Sequence, residues 1–397
     1  MKRALLLLLL VGCPQRQEKV KPVLADPVAA NDGNLVASII AELQDEVLTS
    51  YERDEPPDVD SGMIPRDIGG ARIGVGPGDV LIAEELERAP SRWPLRTDRD
   101  TKTGVRSKRL ETHLARDLSA AWVFDELSWR IQMCDRTAVI PLRITMLYAR
   151  DGDRWVPIFE HMSFGHTPAP HPDGLYGVRI PSKSVPSSDF VDELSSAVSP
   201  VLSQAAKPAR VATGPEAMLL GPDVEAEWHG LDVLGAKLAT GPMKTVEDRR
   251  IGYIGRTLEK ATVAYWVGTV IADLPPRAGV AGGKARMRTT FVFERRRAIA
   301  QDDSRSEAER KKLEAQSCGD NPTDCQWVVV QGHVSEPIGD SELAAFVFGT
   351  ALLSPNLESG EPLKLTCDDG STAISTPAPA KAATPASVPK TQAAPAK

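Results

Sequence analysis

Two histidines stand out by their setting. His161 and Ser163 close the run Arg154-Trp155-Val156-Pro157-Ile158-Phe159-Glu160-His161-Met162-Ser163. His333 and Ser335 close Gln326-Trp327-Val328-Val329-Val330-Gln331-Gly332-His333-Val334-Ser335, and the spacing recurs 172 positions on. In an extended strand alternate residues share a face, so Trp155, His161 and Ser163 are expected on one side, as are Trp327, His333 and Ser335. A histidine so placed on a pocket wall could serve as a general base or a hydrogen-bond donor. The plainer alternative is a strand-end histidine satisfied by its neighbours.

A second candidate is a carboxylate. Asp125 and Glu126 follow Trp122 by three and four positions. Asp125 alternates with Val123, Leu127, Trp129 and Ile131, which favours an inward side chain. Burial beside Trp129 would raise its pKa and suit a base. The alternative is an exposed carboxylate, or one paired with Arg143. At the offset that joins Trp122 to Trp266, the second copy offers Thr269 and Val270, so the carboxylates do not recur.

Other chemistry finds less support. His161, His166 and His171 are evenly spaced, but Pro168, Pro170 and Pro172 among them suggest an extended linker rather than a metal site. Gly74-Val75-Gly76-Pro77-Gly78 lacks the third glycine and the strand–helix context of a dinucleotide fingerprint, and reads as a turn. Neither a cofactor nor a metal is expected.

The elements that would position these residues are legible as repeats. Asn34 is placed to cap a helix whose apolar face is Leu35, Val36, Ile39, Ile40, Leu43 and Val47. After Asp189, Phe190, Leu194, Val198 and Leu202 repeat that face 155 positions on, with Pro200 expected to kink or shorten the helix. Ala71-Arg72-Ile73-Gly74-Val75-Gly76-Pro77 is matched to Ala209-Arg210-Val211-Ala212-Thr213-Gly214-Pro215, and Trp93 to Trp228. Strands are expected over 119–133 and 139–150, and again over 261–273 and 285–297. Asp151-Gly152 marks a tight hairpin turn. The second hairpin carries an excursion of 27 extra residues, including a charged helix over 304–316. A helix is expected over 340–353.

The chain has 397 residues, 25% charged and 42% hydrophobic, with a net charge of −7. That length allows two or three domains, and without a basic stripe nucleic-acid binding is not expected. Lys2 and Arg3 precede an apolar run from Ala4 to Val11, too short to span a bilayer and suited to export. Cys318 and Cys325 enclose a turn-rich loop and are expected to form a disulfide, which leaves open whether Cys134 and Cys367 pair.

Leu10-Val11-Gly12-Cys13 resembles a bacterial lipobox, and that resemblance implies acylation of Cys13 and anchoring in a lipid bilayer. Ala121-Trp122-Val123, Leu142 to Thr145, Asp151 to Trp155 and Glu160 to Ser163 resemble the C-terminal half of SnoaL-like domains, of the nuclear transport factor 2-like superfamily. Ala264 to Val267, Arg288 to Glu294, Gln326-Trp327 and His333 to Ser335 repeat the resemblance, joined by Leu219 to Gly230. It implies an α+β fold of two tandem cone-shaped domains, each a curved antiparallel sheet with helices on its concave side. Members often dimerise through their sheets, so the two copies are expected to pack as a pseudo-dimer. Enzymes of the superfamily often use a pocket carboxylate as base.

The expected organisation is a signal peptide over 1–12, a tether over 13–30, a first domain over 31–168 and a linker over 169–187. A second domain over 188–355 follows, with its insertion at about 298–325, then a C-terminal segment and Ala/Pro/Lys tail over 356–397. The function expected is an envelope lipoprotein, lipid-anchored in the outer membrane and facing the periplasm or the cell surface. It would bind an apolar small molecule or an envelope protein without chemistry. Trp122, Trp129, His161, Ser163, Trp266, His333 and Ser335 are the expected binding residues. The alternatives are an isomerase- or hydrolase-type enzyme using Asp125 and His161, and a purely structural assembly protein.

Overall fold

The structure, a computed structural model, describes residues 33–52, 70–76, 80–82, 93, 102–133, 136–170, 188–203, 210–239, 241–255, 257–279, 281–297, 306, 318, 325–348, 364–366 and 372–374. The expectations for 1–30, Cys13, Cys134, His171, 304–316 apart from Ser306, and Cys367 lie outside these residues.

The fold is α+β and mostly sheet. Helix α1 (Gly33–Glu52) is followed by β1 (Ala71–Ile73), β2 (Val80–Ile82), β3 (Lys102–Leu114), β4 (Ala120–Met133), β5 (Arg136–Asp151) and β6 (Arg154–Ser163). Helix α2 (Ser188–Leu202) leads into β7 (Met218–Leu220), β8 (Glu227–His229), β9 (Met243–Ile254), β10 (Val263–Leu274), β11 (Gly283–Arg297) and β12 (Cys325–Ser335). Helix α3 (Asp340–Phe348) and a small pair, β13 (Lys364–Thr366) with β14 (Thr372–Ile374), complete the described elements. None of the described helices is long and apolar enough to cross a membrane.

The strands form two six-stranded sheets of one topology. The first runs β2-β1-β6-β5-β4-β3 and the second β8-β7-β12-β11-β10-β9. In each, the short strand beside the last long one is parallel to it, and the other neighbours are antiparallel. The β5–β6 hairpin turns at Asp151-Gly152, where Gly152 has φ +60°, a conformation glycine adopts without strain. Helix α1 begins at Gly33, so Asn34 lies within its first turn.

Strand alternation gives each sheet two buried faces. Val123, Leu127, Trp129, Ile140, Leu142 and Ile144 pack with Ile39, Leu43 and Val47 of α1. Trp122, Leu147 and Phe159 join the core shared with the second sheet. The two sheets therefore meet face to face, with their helices outside.

Three sequence expectations need correction. First, Trp155 does not share a face with His161. A β-bulge at Ile158 shifts the ladder, because Leu147 pairs with Phe159 while Tyr148 pairs with Pro157. The second sheet bulges 172 positions on, at Val330, between the Val292–Gln331 and Phe293–Val329 pairs. Trp155 thus packs on the α1 side.

Second, the repeat registers differ from those read by similarity. The parallel pairings Ile73–His161 and Leu220–His333 equate Ala71–Ile73 with Met218–Leu220, not with the segment at 209–211. The pairs Phe124–Thr145 and Val267–Thr290 equate Trp122 with Tyr265 rather than Trp266. Trp266 lies opposite Phe291, on the other face. Asp125 corresponds to Gly268.

Third, α3 follows the second sheet in sequence but packs beneath the first. Ile338, Leu343, Ala344 and Phe348 belong to the core with α1, and the Ile338 N–H donates to the Val75 carbonyl (3.1 Å). The unit expected over 188–355 therefore lends these residues to its neighbour.

Candidate functional site

The repeated His-x-Ser motifs meet at the centre of the molecule. Past the bulge, alternation turns His161 and Ser163 toward the second sheet and His333 and Ser335 toward the first. The two imidazoles stack, centroids 3.8 Å apart and 19° from parallel. His161 Nε2 is hydrogen-bonded to Ser335 Oγ (2.7 Å) and its Nδ1 to Thr290 Oγ1 (3.0 Å). His333 Nε2 is hydrogen-bonded to Ser163 Oγ (2.8 Å) and its Nδ1 to Thr145 Oγ1 (3.0 Å). Each ring is thus held by the hydroxyls of the opposite sheet.

An arginine flanks each side of the stack. Arg143 donates to the carbonyls of Gly221 (2.8 Å), Pro222 (3.4 Å) and Asp223 (3.0 Å). Arg288 donates to those of Gly74 (2.6 Å), Val75 (3.2 Å) and Gly76 (2.9 Å), and to Ser335 Oγ (3.3 Å). The two turns stand at equivalent places after β1 and β7, so each half clamps the other's turn. Burial lowers the Arg143 pKa to about 10 against the raising influence of Glu227, Asp223 and Glu126.

Both histidines have no exposed surface. Burial first, then the neighbouring positive charges and, for His161, the other imidazole, push them well below the ordinary histidine range. They are not at a pocket edge, and no ligand can reach them in this arrangement. Trp122 is likewise spent between the sheets, where its Nε1 donates to the Glu216 carbonyl (3.0 Å). His166 pairs with Glu336 (3.1 Å) rather than with His161.

Of the expected binding residues, Trp129 does line a cavity. An open groove of about 750 Å³ lies between the C-terminal half of α1 and β3. Gln44, Leu48 and Tyr51 form one side, Gly104 to Ser107 and Leu110 the other, and Trp93 and Trp129 also line it. The two indoles stack at 5.3 Å and 18°, and Tyr51 meets Trp93 edge-on. A β-bulge at Lys108 lets β3 turn along this wall.

Asp125 lies behind that wall. It faces inward as expected and is fully buried. Its Oδ1 accepts from Ser107 Oγ (3.0 Å) and the Arg109 N–H (3.3 Å). Burial raises its pKa, opposed by hydrogen bonds from Ser107, Tyr51 and backbone N–H groups. Ser107 and Tyr51, which engage this carboxyl, both line the groove. Glu126 is partly exposed and within 3.9 Å of Lys108 Nζ.

The groove depends on β3 and on Trp93, neither of which sequence patterning connected to Asp125. The signal available was slight: Ser107 and Leu110 sit within the charged stretch Lys102–Leu114. Among the described residues no group of three or more metal-ligating side chains comes together. Cys318 and Cys325 are joined by a disulfide.

No family model matches the sequence, and no curated protein matches it. A solved structure from Xanthomonas campestris, described as a calcium/calmodulin dependent protein kinase II association domain, is 15% identical. It covers 40% of this chain and 93% of its own, with a TM-score of 0.24.

Proposed function

We propose that this protein is a lipid-anchored envelope protein built from two tandem SnoaL-like units, and that it binds an apolar small molecule without transforming it. The observation that carries this reading is the groove walled by Tyr51, Trp93, Trp129, Val105 and Leu110. Leu48, Val105 and Leu110 offer apolar contact and Gln44, Arg106 and Ser107 polar groups, and in ligand pockets apolar contact supplies affinity while a few polar groups fix orientation. Asp125 orients the Ser107 hydroxyl from behind. The tandem reading rests on two sheets of equal strand order and on bulges repeated 172 positions apart. The anchor rests on Lys2, Arg3, the apolar run and Cys13.

The position of Asp125 weighs against the enzyme reading. A general base must come within hydrogen-bonding reach of its proton, and this carboxyl presents no surface to the groove. The buried His161 cannot assist it.

Tryptophan emission during titration with a neutral fatty alcohol tests the reading. Quenching or a blue shift is expected, and is expected to vanish in Val105→Arg. Val105 is the register partner of Trp129 and shares its face, so a long charged side chain there enters the groove. Catalytic turnover of a carbonyl or ester substrate that is lost in Asp125→Asn would establish the enzyme instead.

A further inference from the structure

We propose that the stacked His161–His333 pair is a proton-operated clasp that joins the two sheets at neutral pH and lets them part on acidification. Three features place it apart from an ordinary buried histidine. The rings lie on the seam, one from each sheet, in face-to-face contact. Every ring nitrogen is bonded to a hydroxyl of the opposite sheet, so the hydrogen bonds of both imidazoles cross the seam. The charged groups bearing on the pair are both cations, Arg143 of β5 and Arg288 of β11.

Among the described residues, the surrounding elements supply no compensating anion at the stack. On β1, Arg72 is in register with Glu160 of β6, and both alternate with the residues that face the seam. Strand β7 carries Met218, Leu219 and Leu220. Beyond β12, Glu336 is held by His166 and the Ala169 N–H. From β4, the Val123 carbonyl accepts from Gln331 Nε2 (3.1 Å).

A proton added to either ring would therefore place a third positive charge between two guanidinium groups. It would also set that charge against the face of the second imidazole. When the sheets part, both rings return to water and their ordinary affinity for protons, near pH 6.5. The closed form holds its histidines neutral, so it is fully favoured above about pH 6.5 and loses ground as pH falls below it. With two protons taken up, the open-to-closed ratio rises about a hundredfold per pH unit.

The Trp122 indole N–H reads the seam directly, because it donates across it to Glu216. Its hydrogen exchange would be followed by NMR on the full chain from pH 7.5 to 5, corrected for the intrinsic pH dependence, alongside far-ultraviolet circular dichroism. The corrected exchange is expected to accelerate about a hundredfold per pH unit below 6.5, while the sheet signal persists. In the double variant His161→Gln/His333→Gln it is expected to be nearly independent of pH. In His166→Gln the acceleration is expected to remain. A flat profile for the unaltered chain would overturn the proposal, as would an unchanged acceleration in the double variant, or loss of the sheet signal in step with exchange. Should the double variant not fold, the ring ¹⁵N shifts of His161 and His333 in the unaltered chain decide the matter. Protonation in step with Trp122 exchange supports the clasp, and rings that protonate without any change at Trp122 contradict it.

Discussion

At the scale of single residues, the arginines matter more than their sequence context suggested. Arg288 satisfies three backbone carbonyls at once from a buried position, and each hydrogen bond to a charged donor is worth roughly 1.5–3 kcal/mol. Substituting Arg288→Leu is expected to lower unfolding stability by about 3 kcal/mol in denaturant titrations. Arg288→Lys is expected to recover less than half of that, since one ammonium cannot reproduce the planar fork. Asp125 has the opposite character. Its carboxyl binds a proton more tightly when folded than when unfolded, so it favours the fold at low pH and opposes it as pH rises through the folded pKa. The isosteric Asp125→Asn keeps an acceptor for Ser107 and Arg109. It is expected to unfold at higher denaturant concentration than the parent at pH 7, with ligand affinity changed less than about threefold, under roughly 0.7 kcal/mol.

At the scale of elements, the regular hairpins were legible and the irregularities were not. The Asp151-Gly152 turn and the strands at β4, β5, β10 and β11 follow from alternation and turn chemistry. Strands β3 and β9 escaped because they carry many charged residues and sit at sheet edges, where one side of the strand meets water. The bulges at Ile158 and Val330 defeated a strict two-residue period. Each turns the tryptophan of its motif to the helix side and the histidine to the seam. Counting identical residues also misplaced the repeat, since tryptophan need not occupy equivalent positions in two diverged sheets. Register does not depend on residue identity, and it equates Trp122 with Tyr265. Helix α3 was legible as a helix but not in its partner, because its contacts cross from one half to the other. Leu343 is fully buried beneath the first sheet. Leu343→Ala is expected to cost about 2–5 kcal/mol in denaturant titrations. The loss is expected to fall on the first half and to disturb the Trp93–Trp129 stack more than Trp266, as indole NMR would show.

At the scale of the whole molecule, two sheets of equal strand order meet across a seam and differ in what they carry away from it. The seam consumes the residues that recur: both histidines, both serines, both arginines and the threonines between them. Asp125 does not recur, since the second sheet has Gly268 at its position. The seam also sets the response to pH. The buried imidazoles lose stability as pH falls below about 6.5, by roughly 1.4 kcal/mol per pH unit for each. His166 runs the other way. Burial lowers its proton affinity, but its hydrogen bonds to Glu336 and the Phe164 carbonyl raise it further, so its contribution is lost as pH rises. Chemical denaturation from pH 5 to 8 is expected to show the seam prevailing, with stability climbing between pH 5 and 6.5.

The proposed binding role turns on the groove, and native mass spectrometry of the full chain with a neutral fatty alcohol probes it most directly. The parent protein is expected to carry bound alcohol, and Val105→Arg, equally folded by circular dichroism, is expected to carry none. Equal occupancy in the two proteins would show that the ligand sits elsewhere. No occupancy in the parent at saturating alcohol would contradict the binding role itself.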